Sequence, residues 1–76
     1  MMIPLTQAPV GQRMKIRHIR THPEVCTRLM EMGFCENAII RCVTRGHASL
    51  ICEVCNTRIG LNHTLAGDIV VTALES

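Results

Sequence analysis

The chain has 76 residues, enough for one domain, and a chain of this size buries only about 60% of the surface that its unfolded form exposes. We therefore expect a single domain over residues 1–76 that acts through its surface, because so small a core leaves no room for a deep catalytic cleft. The hydrophobic share is 47%, Phe34 is the one aromatic residue, and the formal net charge of +2 is too small to indicate nucleic-acid binding. These values are typical of a globular protein with an aliphatic core.

The expected location follows from what the sequence lacks. No apolar run approaches the ~20 residues that a membrane-spanning helix needs. Residues 1–6 have no basic segment followed by an apolar stretch, so no secretion signal is predicted. The five cysteines cannot all pair within one chain, and we interpret them as reduced thiols. We therefore expect a cytoplasmic protein that does not insert into a membrane.

Residues 12–20 alternate between apolar and basic side chains, which is the period of a strand with one buried and one exposed face. The apolar members are Met14 and Ile16. The basic members are Arg13, Lys15 and Arg17. Ile19 falls out of phase with Ile16, so either a β-bulge shifts the alternation or the strand ends there.

A short helix is predicted for residues 24–32. Pro23 suits the first turn of a helix, Glu24 complements the positive end of the helix dipole, and Gly33 can take the left-handed conformation that ends a helix. The apolar residues at helical spacing form one stripe that we expect to cover a core. These residues are Val25, Cys26, Leu29, Met30 and Met32.

The remainder of the chain is predicted to be β-structure. The predicted strands are residues 38–45, 48–55, 57–61 and 69–74, separated by Gly46 and His47, by Asn56 and by a loop through residues 66–68. Outward-facing Arg41, Arg45 and Glu53 leave Ile40, Cys42, Leu50, Cys52 and Val54 facing inward. So many short strands favour a small barrel. The residues expected to be largely buried are Ile16, Leu29, Ile40, Leu50, Val54, Ile59, Leu61, Ile69 and Val71.

Residues 28–34 read Arg-Leu-Met-Glu-Met-Gly-Phe and resemble the helix-ending signature of the FeoA family, in which a basic residue and a leucine precede a Leu/Met-Gly-Leu/Phe turn. The resemblance spans nearly the whole chain, and its specificity comes from the ordered set of short elements. The other residues in register with the family are Leu5, Gly11, Ile16, Ile40, Cys42, Val54, Ile59, Gly60, Leu61, Ala66, Ile69 and Val71.

This resemblance implies a mainly β fold, a small SH3-like five-stranded barrel with one short inserted α-helix. It also implies a cytoplasmic accessory protein of ferrous iron uptake that docks onto a FeoB-like membrane G-protein transporter and modulates its activity. The family often has glycine where this chain has Asn37 and Asn56, and asparagine is the commonest non-glycine residue at positive φ. Thr27 and Asn62 stand where the family often has cations, so this chain lacks any partner contact that those cations make.

The resemblance also implies an alternative function. Similar barrels occur as carboxy-terminal domains of iron- and manganese-dependent repressors, so the chain could be a metal-linked regulatory module. It has no helix-turn-helix and could only assist a regulator. An enzyme is not expected, because the sequence contains no catalytic triad pattern, phosphate-binding glycine loop or paired carboxylates in a cleft.

Cys52 and Cys55 have the spacing of half a zinc site or of a redox pair, but the second pair that a structural zinc site needs is absent. On a strand, residues three apart lie roughly 10 Å from each other and face opposite sides, so only a turn beginning at Val54 could bring both sulfurs to one metal. His63, in a predicted loop, is the third candidate ligand. We expect Cys52 in the core, Cys55 exposed near a hairpin tip, no resident cofactor, and at most weak binding of Fe²⁺ or Zn²⁺.

We call Arg13, Lys15 and Arg17 the basic stripe. Three interpretations compete: a solvated strand face, a docking surface for an acidic protein, and a surface for single-stranded nucleic acid. Nucleic acid normally needs aromatic side chains for base stacking, and the predicted strands have none. A protein partner is therefore favoured. An unpaired edge strand would also permit weak self-association. Further basic residues that could join the stripe are Arg20, Arg41, Arg45 and Arg58.

Overall fold

In this computed structural model, which describes residues 1–74, six antiparallel strands form one sheet in the order β1-β6-β2-β3-β4-β5. The strands are β1 (Met2–Pro4), β2 (Arg13–Ile19), β3 (Ile39–Arg45), β4 (Ser49–Val54), β5 (Thr57–Asn62) and β6 (Ile69–Ala73). The helices are α1 (Pro23–Glu31), α2 (His63–Gly67) and a 3-10 turn at Leu5–Gln7. The mainly β class is confirmed, although β1 and β5 do not pair within the described residues and the barrel is therefore loose.

Two predicted element counts are wrong: there are six strands where five were expected, and two α-helices where one was expected. Strand β1 has three residues, too few to show a two-residue period, and it forms because it pairs with β6. The predicted loop before β6 contains α2. Asn62 caps α2, since its side-chain oxygen accepts a hydrogen bond of 2.7 Å from the backbone N–H of Leu65.

Helix α1 ends in a Schellman motif. Gly33 has φ +103°, the N–H of Phe34 donates to the carbonyl of Leu29 at 2.9 Å, and the N–H of Gly33 donates to the carbonyl of Met30 at 3.0 Å. Leu29 and Phe34 are both buried in the same core, as this motif favours. The Gly33 stop is therefore confirmed, and the helix lies one residue earlier than predicted.

The apolar stripe predicted on α1 is too wide. Leu29 is buried and Val25 is half-buried against the core, but Met30 and Met32 are 56% and 43% exposed. The reversal at Gly33 brings Phe34 into the core, and Phe34 has no exposed surface. The aromatic ring thus occupies core space that the prediction gave to the two methionines.

Strand β2 continues through residue 19, and its register with β6 shifts between Ile16 and His18. Of the two alternatives, the β-bulge is therefore correct. The bulge returns Ile19 to the core side, where it packs half-buried.

Eight of the nine predicted core residues are buried, and the ninth, Ile59, is half-buried on the edge strand β5. Cys42 and Cys52 face inward as predicted. The sequence did not predict the burial of Leu5, Ala8, Phe34 and Ala66, which come from short or irregular segments. Arg45 donates a hydrogen bond to the carbonyl of Ala8 and so ties the amino-terminal segment to β3.

Candidate partner-binding surface

The basic stripe lies on β2, an internal strand of the sheet. Strand β2 pairs with β6 on one side and with β3 on the other, so its backbone is held on both edges. Met14 and Ile16 point into the core, which places Arg13 and Lys15 on the outer face. The stripe is therefore presented by a rigid scaffold, although the bulge beside Arg17 changes the alternation at its end.

The cross-strand register places four charged residues in one row on the outer face. Arg13 on β2 lies opposite Arg41 on β3, Arg41 lies opposite Glu53 on β4, and Glu53 lies opposite Arg58 on β5. Glu53 accepts a charge-assisted hydrogen bond of 2.8 Å from Arg41 and lies 3.8 Å from the Nε of Arg58. One carboxylate thus serves two guanidinium groups, and the row keeps an excess of positive charge.

Arg13 stands outside this ion-pair system. Within residues 1–74, none of the three stripe residues forms a salt bridge, and Arg13 faces another cation across the strand pair. Like charges directly opposite each other on a sheet are destabilising by a fraction of a kcal/mol. An acidic group from outside would relieve this repulsion, so the electrostatics favour an anionic partner at this position.

Shallow depressions flank the stripe on both sides. One of ≈ 440 Å³ runs from Arg13 over Ile39 to the turn at Cys55 and Asn56. Another of ≈ 320 Å³ lies between Lys15 and Arg17 and the strand β6, with Met2 at its rim. The outer face therefore offers a basic ridge between two hollows that side chains of a partner could enter.

A third depression, of ≈ 280 Å³, connects the carboxy-terminal end of the stripe to helix α1. Arg17, Ile19, Cys26 and Met30 line it, and Phe34 lies at its base. Sequence reasoning missed this feature because it assigned Met30 to the core. The exposed methionine gives the basic surface an apolar margin, and flexible methionine side chains adapt well to partner surfaces.

The further basic candidates differ in how they are placed relative to the basic stripe. Arg41 and Arg58 share the outer row, whereas Arg45 is engaged with the Ala8 carbonyl. Arg20 lies beyond the end of β2, where its Nε is 3.1 Å from His18. The sequence held a signal for the Glu53–Arg58 pair, because a two-residue hairpin turn at Cys55 and Asn56 fixes that register.

The candidate metal ligands are not brought together. Cys52 is buried and its thiol donates to the carbonyl of Ile59 at 3.5 Å, whereas Cys55 is exposed in the turn after β4. His63 begins α2, where its Nε2 is 3.0 Å from the carbonyl of Gly46. Within residues 1–74, no three His, Cys, Asp or Glu side chains are grouped so that they could hold a metal ion.

The chemistry of Cys52 follows from its position inside the sheet. Burial raises the pKa of Cys52 from 9.0 to about 11, with a smaller contribution from the neighbouring Cys42. The thiolate is the form that binds metals and attacks disulfides. Cys52 is therefore a poor ligand and a poor nucleophile at neutral pH in this fold.

The turn that carries Cys55 is a two-residue hairpin with both residues at positive φ. Cys55 has φ +51° and Asn56 has φ +62°, the conformation of a type I′ turn. Asn37 also has positive φ, +73°, so both asparagines that replace the family's glycines take the expected conformation. The sulfur of Cys55 approaches within 4.0 Å of the carbonyl oxygen of Gly33, so this turn packs on the end of α1.

A family model described as the FeoA domain matches residues 3–73. The chain belongs to the FeoA family. No curated protein matches it in a sequence comparison. Membership of the family implies an accessory role in ferrous iron transport.

Two solved FeoA structures are similar over most of their length. The crystal structure of an iron uptake regulatory protein, FeoA, is 24% identical with a TM-score of 0.83, and the match covers 97% of this chain and 99% of that chain. FeoA of Stenotrophomonas maltophilia, solved in complex with zinc and described as a prokaryotic SH3 domain protein, is 25% identical. Its TM-score is 0.80, and the match covers 91% of this chain and 88% of that chain. The SH3-like fold is thereby confirmed.

The same fold also occurs inside a larger regulator. A manganese-dependent transcriptional repressor matches 96% of this chain with a TM-score of 0.86 and 16% identity, and the match covers 42% of the repressor. At that identity the likeness concerns the fold alone. No helix within residues 1–74 has the length and apolar character needed to cross a bilayer.

Proposed function

We propose that this FeoA-family protein is a cytoplasmic, non-enzymatic module that docks onto the cytoplasmic domain of a FeoB-like ferrous iron transporter and modulates its activity. Family membership supports the link to iron transport. The observation that carries the docking surface is the basic stripe, whose cations have no acidic partner within residues 1–74. An acidic surface on the transporter would complement it and would speed association.

The rigid placement of the stripe supports docking over a solvated strand face. Met14 and Ile16 anchor β2 in the core, so partner binding would require little ordering of the backbone. The depressions on either side could receive side chains that supply affinity, while the charges supply orientation. Nucleic acid and direct membrane insertion are not part of this function.

The test is a binding titration with the isolated cytoplasmic domain of the FeoB-like transporter. The variant R13E/K15E/R17E should fold like the wild type and bind at least about tenfold more weakly, because a complementary contact becomes repulsive. Affinity should also fall as salt rises, since exposed charges are screened over about 8–10 Å near physiological ionic strength.

A matched control separates local contacts from net charge. The pair R13E/K15E and the pair R20E/R28E change the net charge equally, and all four parent residues except the half-buried Lys15 are exposed. Only the first pair should weaken binding strongly. Equal weakening by both pairs would show a general charge effect, and unchanged affinity for the triple variant would eliminate the stripe as the docking face.

Metal binding is predicted to be weak. Purified, reduced protein should bind Fe²⁺ or Zn²⁺ without forming a stable stoichiometric complex, because Cys52, Cys55 and His63 occupy separate environments. Metal content and isothermal titration would measure this. Stoichiometric metal that is lost when Cys52 and Cys55 are both replaced would contradict the prediction.

A second candidate function, a metal-linked regulatory module, draws support from the repressor with the same fold. It would require this chain to bind a separate DNA-binding protein. Co-purification with a repressor, with no effect of the chain on ferrous iron uptake in cells, would favour this alternative over the transporter.

A further inference from the structure

The two edges of the sheet differ in how well they are protected from pairing with another strand. Edge strand β1 has three residues and includes Pro4, which has no N–H. Edge strand β5 has six residues, no proline, and an unbroken register with β4 from Val54–Thr57 to Ser49–Asn62. A regular strand of this length is a template for a further strand, because nothing along it interrupts the ladder.

The hairpin turn determines which backbone groups point outward from β5. A two-residue turn makes Val54 and Thr57 a hydrogen-bonded pair, and such pairs then recur at every second residue along an antiparallel ladder. The N–H and C=O groups of Arg58 and Gly60 therefore point away from β4, as does the N–H of Asn62. Within residues 1–74, β5 pairs with β4 alone, so these groups have no strand partner.

Gly60 leaves the centre of this edge open. A glycine has no side chain, so the exposure of Gly60 is exposure of the backbone itself. No atom outside its chain neighbours lies within 4 Å of the position that a Cβ would take. Gly60 therefore presents no side chain of its own to a strand lying alongside β5.

We propose that β5 pairs antiparallel with β5 of a second copy of this chain, with a twofold axis at Gly60. In this register the two Gly60 residues exchange N–H···O bonds, and the N–H of Asn62 donates to the carbonyl of Arg58 in the other copy. The same register brings Ile59 opposite Leu61 of the second copy. Across this axis the open backbone groups of the two β5 strands satisfy one another, so a second copy can supply the partner strand.

Charge disfavours the registers that bring the two Arg58 residues closer together. A register centred on Arg58 would place two arginines directly opposite each other, which is unfavourable. With the axis at Gly60, the two Arg58 residues lie four residues apart along the ladder, about 13 Å. That distance exceeds the screening length of about 8–10 Å near physiological ionic strength.

The pairing has a consequence for docking that rests on the proposed function. A twofold axis perpendicular to the sheet keeps the outer faces of both copies on the same side, so both basic stripes would face one direction. Strand β2 is internal and stays uncovered. A target with two acidic surfaces at the right spacing would then gain avidity from the dimer. Dimer formation itself does not depend on this and is tested without any transporter.

The test is sedimentation equilibrium of the reduced protein, with the variants Gly60→Pro and Gly60→Ala. Proline removes an N–H that does not take part in the ladder with β4, so the sheet should persist while edge pairing is blocked. Alanine keeps the N–H and adds a Cβ into open space. We expect a concentration-dependent dimer for the wild type and for Gly60→Ala, and a dissociation constant raised by about tenfold or more for Gly60→Pro.

A second measurement decides the register and does not depend on the folding of the proline variant. In isotope-filtered NMR spectra of a mixed labelled and unlabelled sample, we expect an intermolecular contact between the Hα atoms of Ile59 and Leu61. A monomer at concentrations up to about 1 mM would overturn the proposal. A dimer without this Hα contact, or a folded Gly60→Pro variant that dimerises like the wild type, would overturn it as well.

Discussion

Neighbouring residues of β2 belong to two very different surfaces. Met14 and Ile16 are buried among side chains from β3, β4 and β6, whereas Arg13 and Lys15 lie on the outer face next to shallow depressions. Close packing restricts the size and shape of the side chains on the inner face, because buried groups contact many neighbours. The outer face needs only to remain soluble, so it is free to carry charge that serves a partner. The fold and the proposed function thus reside on opposite faces of the same strands.

The largest expected effect on stability comes from truncating the buried leucine of α1. Leu29→Ala should lower the free energy of unfolding by about 2–5 kcal/mol, because Leu29 is 2% exposed and its truncation leaves a cavity beside Phe34. Met30→Ala, at the next residue of the same helix, is the matched control and should cost less than about 1 kcal/mol because Met30 is exposed. Urea unfolding monitored by circular dichroism would measure both.

A loss below about 1 kcal/mol for Leu29→Ala would mean that α1 does not close the core. A large loss for Met30→Ala would contradict its exposure and would restore the wider apolar stripe that the sequence predicted for the helix. The pair therefore tests how the helix divides its residues between the two surfaces.

A smaller effect on stability is expected at high pH, where the buried thiol of Cys52 ionises. The pKa of Cys52 is raised from 9.0 to about 11 in the folded state, so its contribution to stability is complete below pH 9 and is lost as pH rises through 11. The free energy of unfolding should fall by about 2–3 kcal/mol across that interval. The chain has no tyrosine, a side chain that would otherwise titrate over the same interval.

Reduced Cys52→Ala protein is the control for this pH dependence. It should be less stable at pH 8, where the wild-type thiol is neutral and well packed, but its stability should decline much less between pH 9 and 11. An equal decline in both proteins would show that the effect does not come from Cys52.

The longer strands could be predicted from the sequence, whereas the shortest elements could not. Two-residue alternation in β2, and charges on β3 and β4, were sufficient to identify the inward residues, because each strand is long enough to show its period. The same reasoning failed at β1 and α2. Both are short elements whose stability comes from pairing with β6 and from a cap at Asn62, and such tertiary contacts have no local sequence period.

The site was less predictable than the fold. The stripe was identified as three cations on one face, and the structure places Arg13 and Lys15 on the outer face of a central strand. Its partner surface stays a prediction. The ion pair that holds Arg41 depends on the register of β3 with β4, which the sequence alone does not determine. Phe34 entered the core because Gly33 reverses the chain, a three-dimensional effect that helical spacing cannot show.

A substitution where α1 meets the β4–β5 turn should have an intermediate effect on the free energy of unfolding. Gly33→Ala should cost roughly 1–3 kcal/mol, because its φ of +103° disfavours a side chain and a Cβ would lie 2.7 Å from the sulfur of Cys55. Cys55→Gly should recover part of this loss in the double variant, since it removes the clash and not the strained φ. A double-mutant cycle by urea unfolding measures the coupling, and purely additive losses would show that the contact with Cys55 does not matter.

The smallest expected effect on stability comes from reversing single charges on the outer face. Arg13→Glu should change the free energy of unfolding by no more than about 0.5 kcal/mol, in the stabilising direction, because it replaces a repulsion with Arg41 by an attraction. Arg41→Glu should be destabilising, since it faces Glu53 with another carboxylate and removes the 2.8 Å bond. If Arg13→Glu stabilises the protein and Arg41→Glu destabilises it, Arg13 lowers the stability of the fold. Stability loss on Arg13→Glu, measured at low salt where such interactions are largest, would instead assign Arg13 a structural role and remove it from the docking surface.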